Sequence, residues 1–221
     1  SIQWIGGLYF LLSIIFLIDI YDENFKKTLT NFISFDNSEI FRQTIKIFFL
    51  YSVLTLLIFI TLKIFSIRAF DSLNLALTII SSGGFLPVND LSTILRENTQ
   101  IIVVSFLMLF SFFSLFLIYN LIFFKSRNIN FFYEDLHLVV YFTFIVTLFF
   151  LFFSFNNEFS INLLSIASSM SNIGFAISEN KPNLVILYLI LVIVGGSFFS
   201  TSSGLRFVKI YSLFKYSINQ I

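Results

Sequence analysis

The chain has 221 residues, 13 basic against 12 acidic side chains for a net charge of +1, 57% hydrophobic residues including 34 Phe, and a mean hydropathy of +0.95. A water-soluble globule of this length lacks the interior to hide so much apolar surface, so an integral, multi-pass membrane protein is expected. The balanced charge leaves no patch for nucleic acid, and the absence of cysteine excludes disulfides and thiolate metal sites.

In chain order, the first apolar stretch covers 5–18 and stops at Asp19. A polar, mixed-charge linker at 21–42 leads to an apolar span at 44–65. The segment 71–80 is too short to cross a bilayer, which takes about 20 helical residues, and it runs into Ser81-Ser82-Gly83-Gly84-Phe85. A polar rim at 87–100 precedes a long span at 101–124. The order then repeats, with a charged entry at 125–135, a span to Phe155, and a short segment at 160–170. After it come the break Ser171-Asn172-Ile173-Gly174-Phe175, a rim at 178–183 and a long span at 184–199. His137, the lone histidine, stands beside Glu134 and Asp135 and reads as an interfacial residue at a helix start.

Gly84 and Gly174 are 90 residues apart, and both units read span, short helix, break, span, which is the mark of an internal duplication. At membrane depth, non-helical backbone survives only where protein buries it or water bathes it. Two short helices that enter and turn back account for the breaks. Asp71 is expected to cap the first, and the carboxyl ends point negative partial charge at the loops, a field that favours cations. Glycine lets carbonyls approach an axis and replace part of an ion's hydration shell. Ser81, Ser82, Ser171 and Asn172 add side-chain oxygens there or brace the loops. With both breaks outside, nine of the 13 basic residues fall inside, in keeping with the positive-inside rule.

The run Ala76-Leu77-Thr78-Ile79-Ile80-Ser81-Ser82-Gly83-Gly84-Phe85 resembles the third pore loop of the Trk/Ktr/HKT potassium transporters. The stretch from Gly195-Gly196-Ser197 to Ser203-Gly204-Leu205-Arg206 is similar to the glycine- and serine-rich motif of that family's last helix. Gln3-Trp4-Ile5-Gly6-Gly7 resembles the opening of its second repeat's closing helix. The resemblance implies span, pore helix, filter loop, span units around one pore, here about five transmembrane helices and two re-entrant pore helices. It divides the chain into a closing helix at 1–20, a cytoplasmic linker at 21–42, a third repeat at 43–125 and a fourth at 126–221. On that pattern the first repeat and most of the second are missing: either the natural protein is longer and this is its carboxyl-terminal half, the expectation that Ser1 in place of Met favours, or a partner supplies the rest.

By the same resemblance, Ser81, Ser82, Gly83, Gly84 and Phe85 form one filter loop and Ser171, Asn172, Ile173 and Gly174 another. Arg206 and Lys209, three apart and so on one helix face, either form a basic constriction on the pore or snorkel to head groups. Two departures stand out. Ser111-Phe112-Phe113-Ser114-Leu115 replaces the glycine-rich bend of the family's third-repeat closing helix, and Ser203 replaces a glycine of the last motif. The family further implies potassium uptake at the plasma (inner) membrane, a homodimer among membrane lipid, and cytosolic nucleotide-binding regulatory subunits. No catalytic constellation and no cofactor are expected; potassium is the transported ion. The other readings are a secondary transporter, which the nearly charge-free spans disfavour, and a non-conducting structural subunit, to which the two glycines would be dispensable.

Overall fold

The computed structural model describes residues 2–21, 40–88, 90–113, 115, 129–153, 159–175, 177, 185–197 and 200–219. The expected linker at 21–42 and the rim at 178–183 lie wholly or largely outside them, as does the beginning of the charged entry, 125–128, while its remainder, 129–135, opens a helix. Helix α1 covers Ile2–Tyr21, α2 Ile40–Ile64, α3 Ala69–Ser81, α4 Asn98–Phe112 and α5 Ile129–Phe153. Helix α6 covers Phe159–Ser171, α7 Val185–Ile193 and α8 Phe207–Asn219. Strands β1, Val194–Gly195, and β2, Leu205–Arg206, pair in parallel, Val194 with Leu205 and Gly195 with Arg206.

Apolar side chains run along these helices on more faces than one, as in a bundle whose outer surface is not water. Helix α2 buries Ile47, Leu50, Tyr51, Leu54, Ile58 and Leu62 at helical spacing, while Phe48, Phe49, Leu56, Ile60 and Ile64 point outward. Its segment Thr44–Ile64 is long and apolar enough to cross a hydrocarbon core. Helix α3, at 13 residues, is about 20 Å long and cannot. It buries Ser72, Leu75, Ala76, Ile79 and Ile80, the i, i+3, i+4, i+7, i+8 face, between α1, α2 and α4. Helix α6 is likewise 13 residues long and packs along α4 on one side and α7 on the other.

Three expectations are corrected. The span at 101–124 is not continuous, because Phe113 leaves helical backbone at φ −80°, ψ 161°, and α4 ends at Phe112. The helix of the span at 184–199 stops at Ile193, β1 follows, and the described residues of the serine-rich segment 196–204, namely 196, 197 and 200–204, are not helical before helix resumes at Phe207. Asp71 is not the cap of α3. The cap position is Arg68, and Asp71 sits in the first turn, where its charge favours the positive end of the helix dipole. The polar rim contains a single 3-10 turn, Leu91–Thr93, that tucks Leu91, Ile94 and Leu95 into the core. Gln100 Oε1 then accepts from the backbone of Arg96 (2.9 Å) and Glu97 (3.4 Å) to start α4.

Candidate functional site

Helices α3 and α6 end in the same way. Ser82 stands in the left-handed region (φ 51°), its N–H donates to the Ile79 carbonyl, and the Gly83 N–H donates to that of Thr78. Ninety residues on, Asn172 (φ 59°) donates to Ser169 and Ile173 to Ser168. This pair of hydrogen bonds closes a helix terminus and turns the chain sharply away. The Ser81 hydroxyl donates to the Leu77 carbonyl (2.8 Å), and the Ser171 hydroxyl to that of Ala167 (2.6 Å). Both serines therefore brace their own helices. Two residues past each left-handed turn φ is positive again, at Gly84 (74°) and Gly174 (83°).

The two loops meet. A Cβ built on Gly84 would fall 2.3 Å from the Ile173 carbonyl oxygen, so only a glycine lets the second loop come this close to the first. Beyond the contact the loops differ in exposure: Gly174 is open to its surroundings, whereas Ile173 and Phe175 are buried. Phe85 is 77% exposed, but its carbonyl is taken up by the Thr78 hydroxyl (2.7 Å) and turns back toward α3. Phe85 thus ends the first loop and anchors it.

Segment 196–204 joins both loops to the broken end of α4. The Thr201 hydroxyl donates to the Ile80 carbonyl (2.9 Å) and lies 3.4 Å from the Ser82 hydroxyl. The Asn172 amide donates to the Ser203 carbonyl (3.1 Å). From the same segment the Ser197 and Ser202 N–H groups donate to the carbonyls of Phe112 (3.0 Å) and Ser111 (3.1 Å). Two carbonyls at the carboxyl end of α4 are thereby satisfied where the helix stops. Inside the segment, the Ser200 and Ser202 hydroxyls are 2.9 Å apart, and Ser202 accepts from the Gly196 N–H (3.0 Å).

Arg206, in β2, holds the segment. One guanidinium nitrogen donates to the carbonyls of Ser197 (3.0 Å) and Ser202 (2.9 Å) and to the Ser200 hydroxyl (3.1 Å), while the group lies 5.5 Å from the Phe10 ring centroid. Charge-assisted bonds to backbone carbonyls fix a loop strongly. Arg206 is thus occupied within the fold rather than reaching for lipid head groups. It also does not share a helix face with Lys209, since Arg206 lies in β2 and Lys209 is an exposed residue in the first turn of α8. His137 packs its ring against Tyr211, with centroids 5.4 Å apart, and no cluster of three or more histidines and carboxylates suited to a metal occurs among the described residues.

Gln3, Thr78 and Thr201 were not singled out by sequence as site residues. A signal existed for Gln3, a long polar side chain in an apolar helix. Thr201 was hidden in a run of hydroxyl residues, 200–203, whose members look alike until the loop is folded.

A short helix closed by a left-handed turn and a glycine loop, stated twice with the two loops in contact, defines a pore-loop helical fold. The crystal structure of the potassium transporter TrkH from Vibrio parahaemolyticus has this fold, matching 99% of this chain with a TM-score of 0.80 at 15% sequence identity. The match takes in 47% of that chain, so this chain spans about half of its length. No family model and no curated protein matches the chain by sequence.

Proposed function

We propose that this chain is part of a membrane transporter for monovalent cations and carries potassium inward between its two glycine loops. The carrying observation is the contact between the loops, Gly84 against the Ile173 carbonyl, at the ends of two helices with the same length, closure and φ pattern. Ser82, Gly83 and Gly84 supply one quadrant of a carbonyl-lined filter and Asn172, Ile173 and Gly174 a second. Both sit at the negative ends of helices, where a cation is favoured, and carbonyls replace water around it. Ser81, Ser171 and Phe85 belong to the frame rather than the lining, since their oxygens are directed back into the helices.

In this reading the remaining quadrants come from other repeats of the protein, and 43–125 and 126–221 are equivalent units. The chain lies in the plasma membrane with the loops facing out, as a homodimer, with cytosolic regulatory subunits as partners. Arg206, bound to the segment that touches both loops, puts a positive charge on the path of an ion leaving the filter; Lys209 stands further out, on α8. The fold shared with a potassium transporter supports transport over a purely structural role. The test is growth of a potassium-uptake-deficient bacterium carrying the complete gene. Rescue is expected from the wild type and loss of rescue from Gly84→Ser and Gly174→Ser. Rescue that persists in both variants contradicts the filter assignment.

A further inference from the structure

The two loops differ in what stands behind them. Behind the first is Gln3, a half-buried residue of α1. Its side-chain amide meets the peptide groups of Phe85 in both directions. The Phe85 N–H donates to Gln3 Oε1 (3.4 Å), and Gln3 Nε2 donates to the Phe85 carbonyl (3.5 Å). The same nitrogen donates to the Thr78 hydroxyl, which in turn donates to the Phe85 carbonyl (2.7 Å). An amide among apolar helices is costly unless bonded, and among the described residues its bonds go to the first loop and to the helix that carries it.

Gly83 gives an independent sign of the same contact. Its φ is not positive, so glycine is not needed there for the backbone. A Cβ on it would instead fall 2.4 Å from Gln3 Oε1 and 2.9 Å from Gln3 Cβ. Ninety residues on, the equivalent position is Ile173, whose large side chain is only 4% exposed. The second loop fills this space with its own side chain; in the first loop a residue from another helix fills it.

We infer that Gln3 is the positioning residue of the first loop, a polar wedge that fixes the Phe85 end and so holds Gly84 in register with the second loop, and that position 83 is glycine to admit it. The inference rests on the reading of the loops as an ion path. Ion preference in such a path depends on the number and placement of carbonyls, so a loop released at one end discriminates less well.

The test uses the complete gene product reconstituted in liposomes, with potassium and sodium uptake measured side by side. Gln3→Leu keeps the bulk and removes the amide, and the potassium-over-sodium ratio is expected to fall roughly fivefold, the size of one modest hydrogen bond's net contribution. A second arm needs no transport. Gly83→Ala is expected to lower the unfolding temperature of the purified protein, and Gln3→Ala added to it to recover part of that loss. An unchanged ratio in Gln3→Leu beside a selective wild type, or no recovery in the double variant, overturns the wedge and leaves the functional reading standing. A wild type that moves neither cation overturns both.

Discussion

Gly84 and Gly174 share a backbone conformation but not surroundings, and this separates two costs that glycine replacement usually mixes. At Gly174 a Cβ meets nothing within 4 Å, so alanine bears only the left-handed strain of φ 83°, roughly 1–2 kcal/mol. At Gly84 the same strain is joined by collision with the Ile173 carbonyl at 2.3 Å, which forces the loops apart. Gly84→Ala is therefore expected to destabilise the detergent-solubilised protein more than Gly174→Ala, read as the difference in unfolding temperature; equal losses would remove the inter-loop contact from the account. Tyr51 makes a simpler case. Its hydroxyl is buried and has no hydrogen-bond partner among the described residues, so Tyr51→Phe is expected to hold or gain stability by about 1 kcal/mol in the same assay.

At the scale of elements, the short helices were legible and the broken ones were not. Segments expected at 71–80 and 160–170 fold as Ala69–Ser81 and Phe159–Ser171, because small and polar residues closing on glycine punctuate the apolar sequence at their carboxyl ends. The break after Phe112 has no glycine or proline to announce it. It depends on Ser197 and Ser202, 85 and 91 residues along the chain from the carbonyls of Phe112 and Ser111 that they satisfy, and local pattern carries no such information. Gly195-Gly196 marks the second break, although it lies inside an apolar run that reads as one span to 199. The same folding-back separates Arg206 from Lys209. Arg206→Gln leaves the Ser197 and Ser202 carbonyls without a charged donor and is expected to cost about 2 kcal/mol, whereas Lys209→Gln, at an exposed site, is expected to change stability little. Chemical or thermal unfolding of the two single variants checks this, and equal effects would mean that the bonds of Arg206 do not hold segment 196–204.

For the whole molecule, the outward face of the bundle carries large apolar side chains such as Phe48, Phe49, Leu56, Phe144, Phe150, Ile186 and Leu189. A surface of that kind is suited to lipid and not to water. The protein is expected to remain in the membrane fraction through high-salt and alkaline washes and to leave it only with detergent; release by salt alone would contradict the reading. The central claim is that a cation passes between the loop at Ser82–Gly84 and the loop at Asn172–Gly174. Its most direct test is a crystal of the complete protein grown in rubidium in place of potassium, with the anomalous signal used to locate the ion. The account predicts a rubidium peak bounded by both loops in the wild type and its loss in Gly84→Ser. Rubidium bound elsewhere in the membrane region, with nothing between the loops, would contradict it.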